Sequence, residues 1–310
     1  MLKISQSGKI LLIVVLTLLL GTLACAIDFG NSGGDPDVSV QQTLVALQMT
    51  QTALENQADE VPEEPAEEAA DPQTEEVVTE EIAEEPPDIL FEGIGFSYDD
   101  SVAQSVNPAT VQGQDMGEDY MPGETYPNHV MFNFSGYAAG ERFHNPRIFI
   151  YPVGDYQAMS PYAADIIDSL KQTLINKPAG GSPSNMPFLP LWNAAQIFSA
   201  KVDYFNFKNG SGVRYLTMFG QALWPVDNQN LFYTYQGLTD DGRYYITAVL
   251  PITHVGLPEQ GQIVDYLAFE ENWESYIADT IVWLYNQPGE SFLPSVDHLD
   301  AMMASFEINR

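Results

Sequence analysis

Apolar and polar residues alternate along several segments between residues 94 and 250, which is the period of a β-strand with one buried face. Residues 94–98 (IGFSY) and 130–134 (VMFNF) show this alternation. Residues 147–153 (RIFIYPV) are apolar on both faces, which predicts a central strand of a sheet.

Four further segments predict an antiparallel meander rich in aromatic residues. The turns between them are residues 209–212 (NGSG) and 239–242 (TDDG), whose Asn and Gly residues tolerate the positive φ of hairpin turns. The four strands are expected at residues 201–208, 213–219, 231–236 and 243–250.

Three segments carry the 3.6-residue apolar period of an amphipathic helix. The first is predicted to begin at Ser160 and Pro161, an N-cap residue followed by proline at the first helical position. The second is expected over residues 264–286, and the third from Ser295. The sequence therefore predicts an α+β fold over residues 89–310, a single domain with an antiparallel sheet, a central aromatic meander and three main flanking helices.

The N-terminus has the pattern of an export signal. Lys3 and Lys9 precede the apolar run at residues 10–20 (ILLIVVLTLLL), and Ala24 precedes Cys25, the only cysteine. This segment resembles a bacterial lipoprotein signal peptide, which implies removal of residues 1–24 and a lipid, such as diacylglycerol and palmitate, on Cys25. A retained transmembrane anchor is the alternative. Both interpretations place the domain outside the cytoplasm, facing the periplasm or the cell exterior.

Residues 25–88 are predicted to be a disordered acidic tether. Residues 26–88 hold 18 acidic and no basic residues, and such composition buries too little apolar surface to fold. Within it, residues 38–57 lack Gly and Pro and predict a short helix, with a brief coiled-coil seam as the alternative. The whole chain of 310 residues has a net charge of −32, which argues against nucleic acid as a partner.

No catalytic, cofactor-binding or metal-binding constellation is predicted. A single cysteine excludes an intrachain disulfide framework and multi-cysteine metal sites. The chain has no G-x-S-x-G or H-E-x-x-H motif, and its paired carboxylates have the pattern of solvated turns and helix edges. Weak calcium binding by these carboxylates stays open. The four histidines are scattered: His129, His144, His254 and His298.

An apolar segment over residues 178–196 (PAGGSPSNMPFLPLWNAAQ) is the most unusual part of the domain. Long apolar loops often line binding sites, although the same residues also fit a cover over one end of the core. The candidate groove residues are Phe188, Leu191, Trp192, Tyr204, Tyr233 and Tyr235.

The two ends of the domain carry a further resemblance. The opening segment IGFSYDDSV and the closing residues 301–308 (AMMASFEI) resemble those of PsbP-like and LpqN-like α/β/α domains of lipoproteins. The resemblance implies an accessory, assembly or binding role without shared catalytic residues.

The function expected from the sequence is therefore a non-catalytic, lipid-anchored extracytoplasmic domain for binding or assembly. Two partners are expected: the membrane, which the N-terminal lipid would enter, and an unknown protein or envelope ligand, which the domain would bind. The alternatives are an envelope-associated hydrolase and a structural spacer. A hydrolase should show a deep pocket with several titratable groups of shifted pKa, and a binding domain should show an aromatic groove or patch.

Overall fold

The computed structural model describes residues 86–117, 122–178 and 186–310. The predicted signal segment, Cys25 and the acidic tether up to residue 85, with its helix at 38–57, lie outside the described residues, as does part of the apolar segment at 178–196. The last residue of the predicted tether, Asp88, is hydrogen-bonded to Ser97 and Tyr98 of the domain. The residues that the structure describes belong to one compact unit.

The predicted α+β fold is confirmed, with a large antiparallel sheet at its centre. Its seven strands are β3 (Ser105–Val111), β4 (His129–Ser135), β5 (Arg147–Pro152), β6 (Ala195–Phe207), β7 (Gly210–Gly220), β8 (Phe232–Thr239) and β9 (Tyr244–Pro251). They lie side by side in the order β3-β4-β5-β9-β8-β7-β6.

The last four strands form the predicted meander, although the first turn is shorter than expected. Phe207 pairs with Gly210, so Lys208 and Asn209 alone connect β6 to β7, and residues 210–212 belong to the strand. Gly212 is required there because a Cβ atom would overlap the ring of Tyr235 on β8.

The central strand β5 lies between β4 and β9 and is buried on both faces, as its apolar sequence predicted. Because strand side chains alternate, Ile148 and Ile150 enter one core while Phe149 and Tyr151 enter the other. The sheet thus separates two apolar cores.

Helices cover both faces of the sheet. Within the described residues these are α1 (Val153–Met159), α2 (Pro161–Asn176), α3 (Tyr266–Glu271), α4 (Trp273–Asn286) and α5 (Val296–Ala304). Buried residues of α1 and α2 belong to one core, and those of α4 and α5 to the other. The predicted cap of α2 is present, since the Ser160 hydroxyl accepts from the Ala163 N–H at 3.2 Å.

One expected element needs correction, and two longer elements were not predicted. The helix expected over 264–286 is two helices, α3 and α4, which meet at Asn272. The helix α1 and the edge strand β3 were not predicted.

Two small sheets close the ends of the domain. One joins β1 (Ile89–Phe91), β2 (Ile94–Phe96) and β12 (Glu307–Ile308), and the other joins β10 (Thr253–His254) to β11 (Phe292–Leu293). In the first, Phe96 stacks on Phe306 with ring centroids 4.1 Å apart. The beginning and end of the domain are therefore packed together.

Candidate functional site

A cleft of about 1050 Å³ lies on the sheet face that carries α1 and α2. Eleven of its twenty lining residues have apolar side chains, and five of these are aromatic. The aromatic lining residues are Phe143, Phe149, Trp192, Phe219 and Trp224. This size and composition are typical of small-molecule pockets.

One wall of the cleft is the segment 186–194, which buried polar groups of the sheet hold in place. The Gln236 amide on β8 accepts from the Leu189 N–H at 3.1 Å, and the Thr247 hydroxyl on β9 donates to the Leu189 carbonyl at 2.6 Å. The Tyr215 hydroxyl donates to the Pro187 carbonyl at 2.8 Å. These contacts explain why Gln236 is fully buried in the sheet: its amide provides hydrogen-bond partners for backbone groups of an apolar loop.

The wall is completed by a close approach of two backbones. The short 3-10 turn Pro122–Glu124 lies against Leu191, and a Cβ atom at Gly123 would overlap the Leu191 carbonyl oxygen. Glycine at this position therefore lets the turn lie directly against the loop.

Trp192 is the centre of an aromatic cluster at the cleft. Its ring stacks on His144 with centroids 4.5 Å apart and an interplanar angle of 8°. It also meets the rings of Phe188, Phe219 and Phe232 within 5.5 Å. These contacts hold the indole in one orientation at the edge of the cleft.

His144 is electrically neutral at physiological pH. Burial lowers the pKa of its imidazole from 6.5 to about 4, because the charged form loses hydration. Its Nε2 atom is buried without a hydrogen-bond partner.

Arg147 supplies the cationic group of the cleft. It lies at the first position of β5, on the same face as Phe149, and its guanidinium forms no hydrogen bond or ion pair with any described residue. Its Nε atom is buried. A buried donor without an acceptor is uncommon in folded proteins and costs free energy.

Another part of the cleft lining is positioned by Asp227, which is fully buried. One carboxylate oxygen accepts from Trp224 Nε1 at 3.1 Å and from the Gly261 N–H at 2.7 Å. The other accepts from the backbone and side-chain amides of Asn230 at 2.9 and 2.8 Å. Asp227 thus positions two lining residues, Trp224 and Asn230.

The structure brings together only some of the predicted groove residues. Leu191 and Trp192 line the cleft, and Phe188 lies behind Trp192. Tyr204 packs against the same core, where its hydroxyl donates to the Pro178 carbonyl at 3.0 Å.

Tyr233 and Tyr235 do not join the groove, which corrects the expectation for these two residues. They lie on the opposite face of β8, in the core under α4 and α5. The Tyr233 hydroxyl donates to Asp300 at 2.9 Å, and the Tyr235 hydroxyl donates to the Phe205 carbonyl at 2.9 Å. Both are fully buried structural residues.

Sequence reasoning missed His144, Arg147, Phe219 and Trp224 as cleft residues. A signal was present in residues 142–147 (RFHNPR), because two arginines and a histidine stand together in a chain with few basic residues. Only the fold shows that this segment faces the loop at Trp192.

The four histidines, all of which the structure describes, form no catalytic triad. His298 Nδ1 contacts Ser101 Oγ at 2.9 Å and Asp99 at 3.7 Å, whereas a triad places serine and aspartate on opposite ring nitrogens. His254 accepts from the Gly256 N–H at Nδ1, so its Nε2 donates to Ser291, whose own hydroxyl donates to the Pro288 carbonyl. His129 Nδ1 donates to the Pro127 carbonyl.

The cleft itself also lacks the groups of a hydrolase among its described lining residues. These include no Ser, Thr, Cys, Lys or Tyr, and Glu124 is their one carboxylate. In the described ranges, no three His, Cys, Asp or Glu side chains come together as metal ligands. None of the helices described there is long and apolar enough to cross a membrane.

Comparison with known proteins gives no relative for this chain: no family model, curated protein or solved structure matches it.

Proposed function

We propose that this protein is a lipid-anchored extracytoplasmic binding protein, whose domain takes up a small apolar ligand in the cleft beside Trp192. The observation that carries the proposal is the cleft, whose walls are largely apolar and aromatic. The sequence at Cys25 supports the location, because a sole cysteine follows a small residue at the end of a signal-like apolar run.

Binding is favoured over hydrolysis by the chemistry of the lining. Acyl or glycosyl transfer needs a nucleophile or a pair of carboxylates with separated pKa values. The described lining offers a neutral imidazole without a serine or cysteine partner, and a single exposed carboxylate. It does offer flat aromatic surface for stacking and several amides for hydrogen bonds, at Asn145, Asn193, Gln221 and Asn230.

The arrangement of the loop also supports a preformed site. Buried hydrogen bonds from Gln236, Thr247 and Tyr215 fix the backbone that carries Trp192. A site fixed before the ligand arrives avoids the entropy cost of ordering a loop on binding.

The test uses 2-naphthamide, a neutral planar probe, in equilibrium dialysis with the full-length chain in lipid nanodiscs and with empty nanodiscs as the blank. Ala222 lines the cleft and is exposed, so Ala222→Trp should place an indole in the cleft without disturbing the core and should lower affinity for the probe at least tenfold.

The matched control is Ala278→Trp, at an exposed position of α4 on the other side of the sheet, which should bind the probe as the wild type does. Equal binding by the wild type and Ala222→Trp, or no binding above the blank, would contradict the proposal.

A further inference from the structure

We infer that the ligand of the cleft is a monoanion, a molecule with a planar apolar body and one carboxylate that Arg147 binds. This inference rests on the proposed function, because it names the class of ligand for the same cleft. The geometry that carries it is an arginine side chain that lines an aromatic cleft without any partner among the described residues.

The absence of a partner at Arg147 is unusual for this chain. Residues 89–310 hold 25 acidic and 9 basic residues, so acidic groups are abundant on the domain. Other arginines form salt bridges with such groups: Arg142 pairs with Glu259 at 2.7 Å, and Arg214 pairs with Asp300 at 2.9 Å. Arg147 instead faces apolar and amide groups, which leaves its charge available to a ligand.

Two buried polar atoms without a hydrogen-bond partner belong to this cleft. Among the described residues, five buried side-chain polar atoms have no hydrogen-bond partner, and two belong to cleft-lining residues, Arg147 Nε and His144 Nε2. An unpaired donor costs free energy, and an oxyanion bound to the Arg147 guanidinium would give this side chain the partner it lacks. The planar guanidinium matches a carboxylate because two parallel N–H···O bonds form.

The number of charges in the cleft indicates one anionic group. Arg147 is the one arginine or lysine in the described lining, and the neighbouring imidazole is neutral above about pH 4, where its pKa lies. The domain carries 25 − 9 = 16 net negative charges, and Glu124 stands at the rim, so multiply charged anions are repelled. One positive charge in the cleft of a negatively charged domain therefore favours a ligand with a single carboxylate.

The planar apolar body follows from the aromatic rings that line the same cleft as Arg147. Trp192, Phe219 and Phe149 line the cleft, and His144 already stacks face to face on Trp192. Flat aromatic rings bind flat partners through stacking in addition to apolar burial.

The experiment compares 2-naphthoate with 2-naphthamide, which share shape and differ in charge, on the full-length chain in nanodiscs. We expect 2-naphthoate to bind about tenfold or more tightly, since a hydrogen bond to a charged group is stronger than a neutral one. Arg147→Gln should reduce 2-naphthoate binding to about the level of 2-naphthamide binding in the same variant, so that the preference for the anion is lost. Arg147→Lys should retain part of the preference, because it keeps the charge and loses the planar fork.

The matched control is Arg243→Gln, an exposed arginine at a hairpin whose ionic partner is Asp241, and it should keep the full preference. If wild-type protein binds both probes equally, the inference is wrong even if Arg147→Gln fails to fold. In that case binding of 2-naphthamide that Ala222→Trp abolishes would still support the proposed function. If neither probe binds above the blank, both the proposed function and this inference fail.

Discussion

At the scale of single residues, the buried amide of Gln236 holds the loop that forms one wall of the cleft. Gln236 is fully buried, and its side chain contacts Leu189, Thr234, Tyr245 and Thr247 through hydrogen bonds of 2.7–3.3 Å. Every one of these groups would lose a partner if the amide were replaced by an apolar side chain. The polar residue in the core therefore specifies where the loop with Trp192 lies.

We predict that Gln236→Met lowers the free energy of unfolding by about 2–4 kcal/mol, since several buried polar groups lose their partners at once. Binding of 2-naphthamide should weaken too, because the loop is no longer held on the sheet. Urea unfolding and dialysis measure both effects. The control Gln172→Met, on the exposed side of α2, should change stability by less than about 0.5 kcal/mol. A loss below about 1 kcal/mol for Gln236→Met would contradict the role given to this amide.

The buried imidazole of His144 makes a prediction about pH. Its pKa is about 4 in the folded protein, below its ordinary value of 6.5, because burial opposes the charge. Between these pH values the unfolded chain binds a proton at His144 that the folded chain does not bind. Above pH 6.5, His144 therefore does not reduce the free energy of unfolding. As the pH falls from 6.5 towards 4, proton binding by the unfolded chain lowers the free energy of unfolding by about 1–3 kcal/mol.

The measurement is the free energy of unfolding in urea at pH 7 and pH 4.5, for the wild type and His144→Gln. The variant should show a smaller loss between the two values, and carboxylates that titrate in this range contribute equally to both proteins. Burial lowers the pKa of His129 and His254 as well, so some dependence on pH should remain in the variant. Identical losses in the two proteins would show that His144 is not buried as described.

At the scale of elements, the hydrophobic pattern predicted most strands of the large sheet. It did so where apolar and polar residues alternate and also where a continuous apolar run indicates a strand buried on both faces. The four meander strands and the central strand at residues 147–152 were found in this way. The edge strand β3 was missed because it contains Asn107 and Pro108, which are disfavoured in strands; proline is accepted at an edge, where one side of the strand has no ladder. The helix α1 was missed because seven residues give too few turns for a periodic signal.

The break at Asn272 shows a different limit of periodicity. The apolar stripe continues across it, with Phe269, Trp273 and Tyr276 in mutual ring contact, so the pattern predicts one helix. The backbone nevertheless leaves helical geometry, and the Asn272 side chain donates to the Ala268 carbonyl at 2.7 Å. Asparagine side chains compete with the helix for backbone hydrogen bonds in this way.

The sequence predicted the loop of the candidate site but not the residues of the sheet that the loop faces. The loop at residues 186–194 was identified by its apolar composition, and Trp192 does lie at a cleft. The partners on β8 were assigned to the wrong face, because every residue of that strand is buried and its sequence gives no sign of which face meets the loop. Arg147 and His144 were missed because their proximity to Trp192 depends on sheet order, which a local pattern does not contain.

At the scale of the whole molecule, charge divides the chain into two parts. Residues 26–88 carry 18 acidic and no basic residues, whereas residues 89–310 carry 25 acidic and 9 basic residues together with both apolar cores. We propose that the acidic part is a tether between the lipid on Cys25 and the binding domain. Like charges along a tether repel one another and an anionic membrane surface, which would hold the cleft away from the lipid headgroups.

We predict that a glutamate-specific protease, used on the full-length chain in nanodiscs, cuts first within residues 26–88 and leaves a resistant fragment that begins between residues 81 and 89. The reason is that cleavage needs locally extended backbone, and the glutamates of the domain that the structure describes lie in a folded unit that opens rarely. N-terminal sequencing and intact mass identify the fragment. The same protease acting on heat-unfolded protein should cut throughout residues 89–310, which shows that those glutamates are cleavable in principle. A resistant fragment that begins before residue 60 would mean that the acidic segment packs on the domain, and the tether would then have to be abandoned.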